Sequence, residues 1–234
     1  TKNTTGTITS YVAANPTYGQ SIVSWTGSGA TGTVGTGLTS DAEFVLVKNR
    51  DTTDNWSAST TVIDGSVDGT YLNGTAVFED WSARVDPSAA TSNTIGVYDW
   101  DDGNKSGSNM IAYAWHSVTG YSSFGTYTGN GSLTGPSVTL GFKPAYVLIR
   151  KTSGGADWLV FDNVRNPTNE VRSFLEPNTS DVETIEQTSS YELGIDFDAT
   201  GFQIKARGGG MNSDGGTYFY MAFADKREYA YWLD

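Results

Sequence analysis

Short apolar runs separated by glycine, threonine and serine dominate this chain, and few windows hold the 3.6-residue period of an amphipathic helix. Residues 43–49 and 145–151 are nearly continuous in apolar side chains and carry Val and Ile, which predicts strands covered on both faces. Residues 109–117 and 217–225 alternate instead. Ile111, Tyr113 and Trp115 share one face of the first, Phe219, Met221 and Phe223 the equivalent face of the second, and these six are expected to form the core. Ser180 as a cap, with Glu183 three residues later, predicts one or two helical turns within 180–193. The remainder reads as strands and turns, so the fold class is all-β.

The matched strands belong to an internal repeat, which fixes the structural unit. Trp25-Thr26-Gly27-Ser28-Gly29 returns as Tyr127-Thr128-Gly129-Asn130-Gly131. Phe44-Val45-Leu46-Val47-Lys48 returns as Tyr146-Val147-Leu148-Ile149-Arg150, and Trp56 as Trp158, all at an offset of 102 residues. Seven positions between 25 and 58 are identical (Thr26, Gly27, Gly29, Leu38, Val45, Leu46, Trp56), against about two from average residue usage. The strands at 109 and 217 lie 108 apart, so the second half has gained residues in its middle, where insertions fall in loops.

Two tandem homologous β-sandwich units, jelly-roll-like, are the expected architecture. The first spans residues 1–119, with 1–17 as a leading segment, and its repeat proper starts near Tyr18. The second spans 120–234, with 227–234 as an aromatic tail. One larger sandwich shared by both halves is the competing arrangement. Starting on Thr1 and ending on Tyr229-Ala230-Tyr231-Trp232-Leu233-Asp234, the chain is expected to be a segment of a longer polypeptide.

Composition removes several function classes. With no cysteine in 234 residues there is neither a disulfide framework, nor a thiolate metal site, nor a cysteine nucleophile. A net charge of −12 argues against a nucleic-acid partner, which needs clustered Lys and Arg. Apolar stretches are too short to span a bilayer as a helix, so no membrane insertion is expected. The single histidine, His116, is replaced by Ala224 in the second half, and no Gly-x-Ser-x-Gly elbow accompanies it. It reads as a strand-end residue.

Candidate chemistry lies where the halves diverge, roughly 60–105 and 162–205. Asp99-Trp100-Asp101-Asp102-Gly103-Asn104 alternates oxygen donors about a glycine in the manner of a calcium loop, with Asp99, Asp101 and Asn104 as metal ligands. The bidentate Glu that completes such a loop is missing, and the aligned Arg207-Gly208-Gly209-Gly210 has no carboxylate, so a plain hairpin turn is the alternative. No other cofactor is implied. Carboxylates also pair at Glu79 and Asp80, and at Asp196 and Asp198, which alternate onto one strand face as a glycoside-cleaving pair would. Aromatics shared by the halves (Trp25 with Tyr127, Phe44 with Tyr146, Trp56 with Trp158) are expected in the core. Trp81 and Trp100, without counterparts, are expected as exposed ligand contacts.

The segments Gly120-Tyr121-Ser122-Ser123-Phe124-Gly125-Thr126-Tyr127-Thr128-Gly129-Asn130-Gly131, Gly141-Phe142-Lys143-Pro144-Ala145-Tyr146-Val147-Leu148-Ile149-Arg150 and Gly215-Gly216-Thr217-Tyr218-Phe219-Tyr220-Met221-Ala222-Phe223-Ala224 resemble a repeat family of large tail-associated proteins of marine bacteriophages. The first half resembles it through Ser21-Ile22-Val23-Ser24-Trp25-Thr26-Gly27 and Val45-Leu46-Val47-Lys48-Asn49-Arg50, but has Thr39-Ser40-Asp41-Ala42 in place of Gly-Phe-x-Pro. The resemblance implies a non-enzymatic virion structural protein of an extracellular particle, a tail or fibre segment acting as a spacer or as a host-glycan-binding module. Other virion proteins and host surface glycans are the implied partners. A homotrimer is the habit of such fibres, although the sequence carries no heptad or collagen-like signal. Two alternatives stay open: a glycoside hydrolase or lyase on the same sandwich, and a capsid decoration protein.

Overall fold

Val, Ile, Thr and aromatic residues between glycine turns form strands throughout the residues described by this computed structural model, 1–89, 93–185 and 193–226. The protein is all-β, with no α-helix among those residues, and internal contacts divide it into two units, Thr1–Val118 and Thr119–Asp234.

In the first unit, the strands are β1 (Lys2–Asn3), β2 (Ser10–Asn15), β3 (Gln20–Thr26), β4 (Gly32–Gly35), β5 (Phe44–Asn49), β6 (Ser57–Thr60), β7 (Asp68–Tyr71), β8 (Glu79–Asp80), β9 (Val85–Asp86), β10 (Thr94–Val97) and β11 (Asn109–Trp115). They make an antiparallel sheet of order β1-β2-β3-β11-β5-β6-β7-β8 and a smaller one of order β4-β10-β9. The second unit holds β12 (Ser122–Thr128), β13 (Ser137–Thr139), β14 (Pro144–Lys151), β15 (Leu159–Asp162), β16 (Ser173–Phe174), β17 (Thr184–Ile185), β18 (Ile195–Asp198), β19 (Gly201–Ile204) and β20 (Thr217–Ala224). Its sheets run β12-β20-β14-β15, β13-β19-β18 and β16-β17. In each unit the apolar cluster draws on both larger sheets, a sandwich-like arrangement: Val23, Val45 and Ala112 meet Val34, Ile95 and Val97 in the first, and Val147, Ile149 and Tyr220 meet Phe197, Phe202 and Ile204 in the second.

The central strands sit as expected, but their faces are reversed. Met110, Ala112 and Ala114 enter the core of the first unit, and Tyr218, Tyr220 and Ala222 that of the second. Ile111, Tyr113 and Trp115 stand on the opposite face, half-buried. There Trp115 stacks on Phe44 at 5.9 Å and on Tyr113 at 6.2 Å. Phe219 and Met221 are buried, yet outside the inter-sheet cluster, with Phe219 edge-on to Trp158 at 6.2 Å. The physical reason is room. In the first unit Ala112 and Ala114 let the second sheet close onto the inner face while the large rings cover the other side; in the second unit Tyr218 and Tyr220 fill the inner face beside Ala222.

One loop device occurs twice. Asn104, with no exposed surface, accepts hydrogen bonds at Oδ1 from the Trp25 indole (3.0 Å) and from Ser28 N–H (3.1 Å), and donates from Nδ2 to Ser28 Oγ (2.8 Å) and Ala30 O (2.7 Å). Asn212 does the same for the second unit: Oδ1 accepts from Asn130 N–H at 2.8 Å, and Nδ2 donates to Ser132 O at 2.7 Å and Ala206 O at 2.8 Å. Backbone bonds repeat alongside, with Gly29 N–H on Asn104 O and Gly131 N–H on Asn212 O, both 2.9 Å. The clasped turn requires glycine. A Cβ on Gly27 would lie 2.0 Å from Lys105 O, and one on Gly129 2.3 Å from Ser213 O.

The helical turns expected near 180–193 are absent from the part that is described. Thr184–Ile185 pairs with Ser173–Phe174 as a strand, and Glu183 receives the Arg165 guanidinium at 3.0 Å instead of serving a cap. Residues 186–192 lie outside the described residues, as does the tail from 227.

Candidate functional site

Three hydrogen bonds from two consecutive residues at the end of β5 build a cleft in the first unit. Lys48 Nζ donates to Thr52 O (2.8 Å) and Asp54 O (2.7 Å), which folds the turn after the strand. Asn49 Nδ2 donates to Asp101 O at 2.8 Å and draws in the loop before β11. That loop is closed on itself by Gly103 N–H and Asn104 N–H, both donating to Trp100 O. Between turn and loop lies an open cleft of about 440 Å³ lined by Asp54, Asn55, Asp99, Trp100, Asp101 and Asp102.

The cleft joins one exposed ring to several carboxylates. Trp100 is 45% exposed, and its indole N–H is fixed on Ala83 O at 3.0 Å. Arg84 lies against this ring with its guanidinium carbon 4.2 Å from the centroid, and against Trp81 at 4.9 Å. The same guanidinium donates to Tyr71 Oη at 2.5 Å. Asp102 is hydrogen-bonded by Ser57 and Tyr71, and burial pushes its carboxyl up from the usual range, with Arg84 pulling the other way. Burial and the charge of Asp102 also raise the Tyr71 phenol. A ligand here would meet an aromatic face, hydrogen-bond acceptors and a carboxyl that burial biases toward its neutral form.

The residues expected from sequence to act together are distributed differently. Trp81, expected to be exposed, is only 3% exposed: its ring packs over Gly69 and lies 5.2 Å from Tyr71. It supports Arg84 from behind. Asp99, Asp101 and Asn104 do not converge as metal ligands. Asn104 spends its amide on the buried clasp, Asp101 pairs with Lys105 at 3.2 Å, and Asp99 faces solvent. No group of three or more His, Cys, Asp or Glu side chains is placed to hold a metal ion among the described residues. Asp196 and Asp198 do lie on one strand, but Asp196 pairs with Lys205 at 3.2 Å and Asp198 is exposed. Glu79 and Asp80 are both exposed on the edge strand β8. His116 directly follows β11, and its Nδ1 lies 2.9 Å from Ser117 O.

Asp54, Asn55, Arg84 and Tyr71 escaped the sequence reading, since turns and the strand β7 bring them to the cleft from positions far apart in the chain. A signal was available for Asn104: the 108-residue offset, carried upstream of β11, aligns it with Asn212.

The second unit has a cleft at the matching place, about 350 Å³, lined by Lys151, Gly155, Asp157, Glu176, Gly209 and Gly210 among others. Its support is also matched. Asn178 accepts from Trp158 N–H (2.9 Å) and donates to Asp157 (2.7 Å), as Asn73 accepts from Trp56 N–H (2.8 Å) and donates to Asn55 (2.9 Å). Glycines stand where the first unit has Asp101 and Asp102, so the site is repeated while its chemistry is not.

A family model described as a domain of unknown function (DUF7483) matches residues 1–227, across both units. No curated protein and no solved structure matches the chain.

Proposed function

We propose that this chain, which belongs to the DUF7483 family, is a non-enzymatic carbohydrate-binding module of two homologous, jelly-roll-like sandwiches, carried on a bacteriophage tail or fibre as a host-glycan-binding element. The resemblance of residues 120–131, 141–150 and 215–224 to tail-associated repeats supplies the virion setting. Three side-chain bonds of the Asn104 clasp, to Ser28 N–H, Ser28 Oγ and Ala30 O, recur in the Asn212 clasp on Asn130 N–H, Asn130 Oδ1 and Ser132 O, which supports homology of the units. The observation that carries the binding reading is Trp100, a fixed and exposed ring at the rim of a cleft of acceptors. Sugars present an apolar ring face and a rim of hydroxyl donors, which such a wall matches.

Calorimetry with oligosaccharides from a glycan array tests it: Trp100→Ala should weaken binding at least about tenfold, as loss of a central aromatic anchor does. An unchanged affinity would refute the assignment of the cleft.

Asp102 favours a second reading, a glycoside hydrolase, because a carboxyl raised by burial in a cleft with other carboxyl groups is how such enzymes hold a general acid. Its oxygens are engaged by Ser57 and Tyr71, which suits a structural role better. Release of reducing ends, abolished by Asp102→Asn with binding intact, would replace the binding reading with the enzymatic one.

A further inference from the structure

Beyond the plan common to both units, the first carries an added strand, β2, on the outer side of β3, whereas β12, the counterpart of β3, is the first strand of its sheet. That addition creates a second groove. It has a volume of about 500 Å³ and is lined by Ile8, Tyr11, Ser24, Thr26, Arg50 and Asn109 among others, at the same end of the sheet as the Trp100 cleft. Tyr11 is 60% exposed and lies in register with Ser24 on β3. Arg50 leaves the end of β5 with its N–H on Asn109 O at 2.8 Å. Its guanidinium is exposed and has no carboxylate within ion-pair distance among the described residues. The adjacent Asp51 is held instead by Asn109, from the backbone at 2.7 Å and from Nδ2 at 3.1 Å. The second unit has Thr152 and Ser153 at the positions of Arg50 and Asp51.

We infer that this groove is a subsite for an anionic saccharide unit, a uronate or a sulfate ester. The inference rests on glycan recognition by the first unit. Tyr11 offers a ring to the apolar face of the sugar, Ser24 and Thr26 offer hydroxyls, and Arg50 offers a planar fork that matches a carboxylate or sulfate. From β2 to β5 is three strand spacings, about 14 Å. The groove is therefore wide enough for more than one ring, with the charge read at the Arg50 end. On a chain of charge −12, an unpaired arginine in a groove opposes the general field and gives discrimination between charged and neutral glycans.

Isothermal titration with a galacturonate tetrasaccharide, its uncharged methyl ester and a sulfated galactose tetrasaccharide tests this, using wild type, Arg50→Gln, Tyr11→Ala and Trp100→Ala. Both Arg50 and Tyr11 are exposed, and melting curves check that the variants fold. The expected result is a preference for a charged sugar over the ester of about tenfold, the scale of a charge-assisted bidentate contact. This preference should shrink with added salt, disappear in Arg50→Gln, and come with weaker binding of all ligands in Tyr11→Ala. Whether the carboxylate or the sulfate shows it identifies the anion. Equal binding of charged and uncharged sugars by wild type, or a preference that survives Arg50→Gln, would overturn the subsite and leave the Trp100 cleft standing. Binding that depends on Arg50 and Tyr11 but not on Trp100 would overturn the cleft and leave the subsite.

Discussion

Replacing Asn104 by alanine should cost the first unit a large part of its stability. The buried amide makes four hydrogen bonds: a buried one from the Trp25 indole at 3.0 Å, and partly buried ones from Ser28 N–H at 3.1 Å, to Ser28 Oγ at 2.8 Å and to Ala30 O at 2.7 Å. Truncation leaves the indole N–H of buried Trp25 without its acceptor, while the Ser28 and Ala30 groups lose their amide partner nearer the surface. With each lost bond worth roughly 1 kcal/mol net, and more for a buried donor left without a partner, the sum is about 4 kcal/mol. That is a substantial share of the ~5–15 kcal/mol of an ordinary domain. Asn104→Asp keeps the shape but loses both donors and buries a charge, so it should be no milder. Urea denaturation followed by tryptophan fluorescence measures the loss, and hydrogen exchange at the Ser28 and Gly29 amides localises it. Asn212→Ala is the matched perturbation of the second unit. A shift below about 1 kcal/mol for Asn104→Ala, with native exchange rates in the turn, would show that the clasp is incidental to stability.

Gly69→Ala should displace a ring, because the new Cβ would stand 2.1 Å from Cδ2 and Cε3 of Trp81. A cost of about 2 kcal/mol follows from overpacking, read as a lower melting temperature with red-shifted tryptophan emission. At Gly74 the nearest neighbour of a Cβ is Tyr71 Cβ at 3.7 Å, so Gly74→Ala should be close to neutral, and equal effects would refute the steric argument. Asp68 has its carboxyl pushed up to about 6 from 3.8, first by burial and then by the carboxylates of Asp64 and Asp80. The folded state thus binds this proton more tightly than the unfolded state. Its contribution to stability is complete below pH 3.8 and is lost as the pH rises through about 6. Asp68→Asn should therefore match wild type in acid and exceed it at neutral pH by about 1 kcal/mol, discounted for partial exposure. Denaturation curves at both ends of that window decide it, and an advantage that appears only in acid would contradict the sign.

The candidate site was half legible. Trp100, Asp99 and Asp101 stand out as an aromatic among carboxylates without a counterpart in the second half, and they do line the cleft. Their partners did not stand out, since Asp54 and Asn55 reach the site through the turn held by Lys48, and Arg84 through its stacking on Trp100. Trp81 was misplaced for a related reason. Absence of a counterpart shows that a residue is not needed by the common plan, but burial of Trp81 depends on Gly69 beneath it and Arg84 above.

By itself, the sequence determined the all-β class and where four of the longer strands lie. Residues 43–49 and 145–151 became Phe44–Asn49 and Pro144–Lys151, and residues 109–117 and 217–225 became Asn109–Trp115 and Thr217–Ala224. Strand position is written locally, in β-favouring residues between glycine turns. Only the tertiary structure decided which face of β11 and β20 turns inward, since both faces are apolar and a period of two has no direction. It also decided that Asn104 is a clasp and not a ligand. The chemistry of an amide is the same in both roles, and what separates them is whether other parts of the chain arrive to use it.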